Sequence, residues 1–174
     1  MVGASPSDKA MKPLRPLHRR KSMPFGRRGE AWVAAQLALF LLFALVPHIG
    51  PAWPAPAAFH AIGIAAALGG IAVLGQSAVT LGSSLTPFPR PLPTARLKTS
   101  GAYRFVRHPI YFGVLLAALG LALWSLSPLR LLLTLVMVLF FDRKANREES
   151  WLQEQYAAYP AYRARTRKLI PWIY

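Results

Sequence analysis

The sequence predicts an all-α integral membrane protein with four transmembrane helices. Three observations carry that reading. Apolar residues make up 54% of the 174-residue chain and charged residues only 16%, against about 25% charged in an ordinary soluble domain. The missing charge is absent from four long stretches and concentrated between them, as expected where a bilayer is the solvent for part of the chain. Lys and Arg then alternate in number along the connections: eight, none, five, one and seven.

Residues 1–30 hold the first eight Lys or Arg and four prolines, Pro6, Pro13, Pro16 and Pro24. Such a segment buries no core and is expected as a basic mobile tail ahead of a membrane domain at 31–174. It is too long for a standard secretory leader; a transit peptide is the weaker alternative. The apolar stretches follow: Ala31–Val46, closed by Pro47; Ala57–Leu81; Ile110–Leu126, closed by Ser127–Pro128; and Leu129–Phe141. A crossing takes about 20 apolar residues. The second stretch meets that, the first and third need their flanks, and the fourth is short enough to insert only partway. The tight connection Ser125–Pro128 predicts an antiparallel hairpin of the third and fourth. A separate cytoplasmic helix around Ala145–Ala158 is expected to return Glu148 to the membrane surface.

The charge alternation sets the orientation. Connections rich in Lys and Arg stay on the cytoplasmic side, which predicts both termini there. All six acidic residues also lie outside the apolar stretches, so the polar chemistry belongs to the cytoplasmic face. Within the stretches, Gly63, Ala67 and Gly70 share one helix face, as do Gly113, Ala117 and Gly120. Small residues at this spacing let helix backbones approach closely in lipid. Gly113 has a second reading, because it stands beside a polar motif.

Composition also excludes. Without cysteine there is no disulfide, thiolate metal site or cysteine nucleophile. The net charge of +15 raises nucleic acid as a partner. The basic residues flank apolar stretches instead, so anionic membrane lipids are the expected partner and nucleic acid is not. No Gly-rich phosphate loop follows a strand pattern. His18, His48, His60 and His108 lack metal-ligand spacing; His60 is expected only near the outer end of the second stretch.

Two polar segments stand out. One runs Leu97-Lys-Thr-Ser-Gly101-Ala-Tyr103-Arg-Phe-Val-Arg107-His108-Pro109-Ile-Tyr111-Phe-Gly113. The other is Arg147-Glu148-Glu149-Ser-Trp-Leu152, followed by Tyr156, Tyr159, Tyr162 and Ile170-Pro171-Trp172. Pro109 suits the first turn of a helix, where its missing N–H costs nothing. His108 is then the N-cap, and free backbone N–H groups there attract an anion. Tyr111, three residues on, shares its face. Gly113 leaves room for a flat ring or a helix. Glu148 can accept hydrogen bonds from hydroxyl groups or balance a cation. Blander readings stand beside these. His108–Pro109 can simply start a helix, and Lys144 and Glu148 can form an i,i+4 surface pair. Tyr103 and Tyr111 can be interfacial anchors, and for Tyr156 and Tyr159 that is the better reading. Trp172 reads as an anchor as well, with Arg163, Arg165, Arg167 and Lys168 at lipid headgroups.

Together the pattern G-x-Y-x-x-x-R-H-P-x-Y-x-G, a hydrophobic hairpin and E-E-x-x-L resembles the isoprenylcysteine carboxyl methyltransferase and phospholipid methyltransferase superfamily, over roughly residues 60–174. Either half alone is weak; the set is specific. The resemblance implies an enzyme in which the hairpin gathers both segments around S-adenosylmethionine without a Rossmann fold. It implies cofactor contacts at Leu97, Tyr103, His108, Pro109, Tyr111, Gly113, Glu148 and Glu149, with His108 and Glu148 nearest the chemistry. The family's substrate-side arginine falls at Lys144, with Arg143 beside it. The implied reaction is methyl transfer to a lipophilic acceptor, either an isoprenylcysteine-like carboxylate or a phospholipid amine. The alternatives are an NADPH-dependent reductase, as in the related sterol reductases, and a non-catalytic protein of the same fold.

Overall fold

The computed structural model describes residues 28–47 and 53–174. The expected tail at 1–30 therefore lies outside the described residues except for its last three. Five α-helices follow in order: α1 (Glu30–Leu45), α2 (Pro56–Leu81), α3 (Pro109–Trp124), α4 (Pro128–Gln155) and α5 (Tyr159–Arg165). Short 3-10 turns at Gly82–Ser84 and Gly101–Arg104 interrupt the connection between α2 and α3. Among the described residues there is no strand beyond one isolated bridge, Val106 to Arg167.

The outer surface is apolar. Leu37, Leu41 and Leu45 on α1, Ile62, Leu68 and Ile71 on α2, and Leu132, Leu135 and Leu139 on α4 are all exposed. A water-facing surface rarely carries so much contiguous apolar area, whereas lipid favours it. Among the described residues, the continuous segment Pro56–Ser84 is long and apolar enough to cross a membrane by length and composition.

The tightest packing joins α2 and α3. A Cβ added at Gly120 would stand 2.3 Å from the Ala67 nitrogen, and one at Gly70 would stand 2.5 Å from the Ala117 nitrogen. The small-residue stripes on the two helices therefore face each other, backbone against backbone. Lipid tails give no hydrophobic drive for helices to associate, so close van der Waals contact of this kind supplies it. At the far end His60 donates Nδ1–H to the Trp124 carbonyl at 2.7 Å, tying the start of α2 to the end of α3.

The chain reverses over Ser125–Ser127, with Leu126 at a left-handed φ of 49°. The Ser127 hydroxyl accepts the Arg130 N–H at 3.3 Å, and Pro128 opens the helix. This N-cap is a sequence-encoded restart. α4 then packs Leu133, Met137 and Phe141 against Ala118 and Ala122 of α3 and Phe43 of α1.

One expectation needs correction. The cytoplasmic helix around Ala145–Ala158 is not a separate element, because α4 runs unbroken from Pro128 to Gln155. Between Leu129 and Gln155 there is neither Gly nor Pro. The change at Asp142 is one of polarity, and the backbone does not respond to it. The break comes at Tyr156, ahead of Pro160 near the start of α5.

Candidate active site

The cavity of interest, about 370 Å³, lies where α2 ends, α3 begins and α4 leaves its apolar stretch. Its size falls in the range of small-molecule sites. Leu81, Val114 and Phe141 line its apolar side, while Arg96, Lys98 and Glu148 line its polar side.

The sequence builds the polar side from two short segments. Gly101 adopts a φ of 60° and turns the chain into the Gly101–Arg104 turn, which buries Tyr103 at the cavity wall. Pro109 occupies the first position of α3 with His108 as N-cap. The His108 ring is 4% exposed and parallel to the Tyr111 ring, with centroids 5.3 Å apart and planes 2° apart. Its Nε2–H donates to Glu149 Oε1 at 3.3 Å, which turns Nδ1 toward Glu148 Oε2, 3.7 Å away. Tyr111 donates its hydroxyl to the same Glu148 oxygen at 2.6 Å.

Glu149 faces away from the cavity. Arg107 Nε donates to its Oε1 at 2.7 Å and Arg163 Nε lies 3.4 Å from its Oε2. Burial alone would raise its pKa. The hydrogen bonds from His108 and Arg107 outweigh that and hold it down to about 2. Arg107 also donates to the carbonyls of Arg163 and Thr166. The C-terminal segment pairs along the approach to α3: Arg107 N–H donates to Arg167 O at 2.8 Å and His108 N–H to Lys168 O at 3.1 Å. Glu149 and Arg107 thus clamp the segment that carries His108.

Lys144 is 1% exposed. Its ammonium lines the cavity, donates to Gln36 Oε1 of α1 and to the Pro87 carbonyl, and lies 5.4 Å from the Tyr111 ring centroid. Burial lowers its pKa, partly offset by the nearby Glu148 carboxylate. Tyr159 is fully buried at the cavity, and its hydroxyl has no hydrogen-bond partner within the protein. Burial pushes its phenol well above the usual range, so it stands as a neutral donor.

The structure gathers Leu97, Tyr103, His108, Tyr111, Lys144 and Glu148 around one cavity. The other residues singled out in the sequence lie elsewhere or differently. Gly113 packs on α2, where an added Cβ would meet Gly70 O at 2.7 Å, the close helix approach that is one of its two expected uses. Glu149 and the buried Pro109 hold the motif from behind, outside the cavity lining. Arg143 is exposed and also outside it. Tyr156 and Tyr159, expected as interfacial anchors, line the cavity. Sequence reasoning missed Gln36 and the Pro87 carbonyl, for which spacing holds no signal. It also passed over Arg107, whose place next to His108 was such a signal.

A helical bundle with an apolar exterior and a polar cavity at the end of its helices, compared with known proteins, falls in the class of integral membrane methyltransferases. The chain belongs to the phospholipid methyltransferase family, whose profile matches residues 57–159. Two rice proteins (Oryza sativa subsp. indica and japonica), each described as a probable protein-S-isoprenylcysteine O-methyltransferase, are 28% identical over 150 residues. Those alignments cover 81% of this chain and 78% of the relatives. The solved structure of a eukaryotic intramembrane Ras methyltransferase, isoprenylcysteine carboxyl methyltransferase, superposes with a TM-score of 0.62 at 22% identity. The superposition covers 87% of this chain and 55% of that one, so the chain spans about half the length of that protein and shares its fold.

Proposed function

We propose that the protein methylates the carboxylate of a lipophilic, isoprenylcysteine-like acceptor, with S-adenosylmethionine as donor. The observation that carries this reading is Lys144. It is a buried ammonium at the cavity whose two hydrogen-bond partners are neutral oxygens. An anionic acceptor would complete its environment; a protonated amine would be repelled by it. A carboxylate also needs no base, whereas an amine must first lose a proton.

The residues present fit the donor. Glu148 offers a carboxylate for ribose hydroxyls or for the sulfonium charge. The first turn of α3 offers N–H groups without intrahelical partners for the methionyl carboxylate. Tyr159 offers the unpartnered hydroxyl. Bound there, S-adenosylmethionine supplies an electrophilic methyl group. The protein's part is positional: Tyr111 fixes Glu148, Lys144 orients the acceptor carboxylate, and the apolar side receives its lipid tail. In this reading the apolar stretches of α1–α4 lie in the bilayer and α4 leaves it near Asp142. The basic connections keep the cavity end and both termini in the cytosol, so the donor enters from water and the acceptor from lipid.

The test is calorimetric titration of the detergent-purified protein with S-adenosylhomocysteine, joined to methyl-transfer assays on a farnesylcysteine analogue and on phosphatidylethanolamine. Saturable binding is expected, abolished in Glu148→Ala and not displaced by NADPH. Lys144→Ala should raise KM for the farnesylcysteine analogue while leaving S-adenosylhomocysteine binding unchanged. Displacement by NADPH would favour a reductase, and transfer only to the amine would reverse the choice of acceptor.

A further inference from the structure

A second cavity lies apart from the one that holds His108. It measures about 210 Å³ and is lined by Arg104, Phe105, Arg165, Arg167 and Trp172. Three arginines line it, and among the described residues no carboxylate pairs with any of them. The neighbouring cations differ: Arg107 and Arg163 reach Glu149, and Lys168 reaches Asp142. The fold therefore neutralises some of its C-terminal positive charge internally and leaves one cluster uncompensated. One wall is aromatic. The Arg104 guanidinium stands 4.5 Å from the Phe105 ring centroid, and the Trp172 ring lies 5.9 Å from that of Phe105, tilted by 53°.

The depth of this cavity follows from its anchors. Lys168 donates to Asp142 and Asn146, which come directly after the apolar run of α4. Residues 105–108, which pair with the same C-terminal segment, come directly before α3. The cavity thus sits at the level where both helices leave their apolar stretches, the level of lipid headgroups. Beside it Trp172 is 78% exposed and Ile173 is 77% exposed. Indole rings favour the membrane–water interface, and guanidinium forks match phosphate oxygens.

We propose that Arg104, Arg165 and Arg167 form a binding site for the phosphate-bearing headgroup of an anionic phospholipid, with Trp172 and Ile173 seated in the interface beside it. A lipid suits the site better than a free anion because exposed apolar side chains border the guanidinium cluster. The site is also wired to the reaction centre. Arg167 N–H donates to Phe105 O at 3.0 Å, and the Arg167 and Lys168 carbonyls hold the N–H groups of Arg107 and His108. An occupied headgroup site would hold the backbone that carries His108. The binding proposal stands without the methyl-transfer reading, since its readout is retained lipid and not activity.

The full chain, purified in detergent, is equilibrated with mixed micelles holding equal parts of phosphatidylglycerol and phosphatidylcholine. Lipid retained through washing is counted by native mass spectrometry. The intact protein should keep phosphatidylglycerol preferentially. The triple variant R104Q/R165Q/R167Q should keep it less well by on the order of tenfold to a hundredfold, since each surface cation contributes about 1 kcal/mol toward an anionic lipid. If the triple variant is not monodisperse, Arg165→Gln on the exposed face of α5 carries the test and should lose retention several-fold. Equal retention of the two lipids, unchanged retention in the variants, or displacement of the lipid by inorganic phosphate would overturn the proposal.

Discussion

Tyr111 donates its hydroxyl to Glu148 Oε2 at 2.6 Å, joining the first turn of α3 to α4 across 37 residues of sequence. The same carboxylate oxygen lies 3.7 Å from His108 Nδ1, and the two rings lie parallel. Tyr111 is thus the strut between the histidine and the acid. It also presents its ring to Lys144, so His108, Glu148 and Lys144 all neighbour this one side chain.

Removing that hydroxyl should loosen Glu148 and little else. A hydrogen bond to a charged group contributes about 1.5–3 kcal/mol. Tyr111→Phe is expected to weaken S-adenosylhomocysteine binding about tenfold or more, with the ring packing and the elution profile unchanged. Calorimetry beside Glu148→Ala checks it. Unchanged affinity in Tyr111→Phe would mean that Glu148 is held by other groups.

Glu149 gives a pH prediction. Its folded pKa, about 2, is below the ordinary value of 4.5, so folding favours the ionised form. The stability it contributes is complete above about 4.5 and is lost as pH falls toward about 2. Melting temperature of the detergent-solubilised protein should fall across that window. In Glu149→Gln this component of the slope should vanish, with a lower melting temperature at neutral pH, because Arg107 is left buried without its partner.

The glycines of α2 and α3 separate packing from propensity. Gly120→Ala would drive a Cβ to 2.3 Å from the Ala67 nitrogen, whereas a Cβ at Gly75 meets nothing within 4 Å. Overpacking costs about 1–3 kcal/mol, while Ala in a helix gains roughly 1 kcal/mol over Gly. Gly120→Ala should lower the melting temperature and Gly75→Ala should hold or raise it. A parallel response in the two variants would contradict the backbone contact between α2 and α3.

Much of this was legible in one dimension, for physical reasons that differ by residue. The glycine stripes show because helical spacing maps sequence directly onto one face, and Gly70 and Gly113 meet as that spacing implies. His108, Tyr111 and Glu148 belong to short motifs, and a helix reversal at Ser125–Ser127 is enough to bring those motifs together. Charge was less readable. Arg163 and Lys168 look like lipid contacts in a basic tail, yet they pair with Glu149 and Asp142. A count of cations does not say which ones the fold neutralises. Gln36 was invisible, since its contact with Lys144 spans 108 residues and no pattern connects α1 to the motif. The end of α4 was misplaced because a change from apolar to charged residues at Asp142 looks like a boundary, although only Gly, Pro or a lost hydrogen bond ends a helix.

Tyr159 offers the sharpest separation of ligand binding from folding. Its ring is fully buried between Tyr162, whose centroid is 6.0 Å away, and the cavity, while its hydroxyl has no partner within the protein. A buried donor left unsatisfied costs about 1–3 kcal/mol. Tyr159→Phe keeps the ring and removes the donor, so the ligand-free variant should melt at the same temperature as the parent or higher. If the hydroxyl is there for the ligand, the same substitution should weaken S-adenosylhomocysteine binding about fivefold to tenfold, the loss of one hydrogen bond of roughly 1 kcal/mol or slightly more. Binding should then give the parent the larger thermal shift at saturating ligand. A variant that melts lower without ligand and binds equally well would make Tyr159 a purely structural residue and remove it from the site.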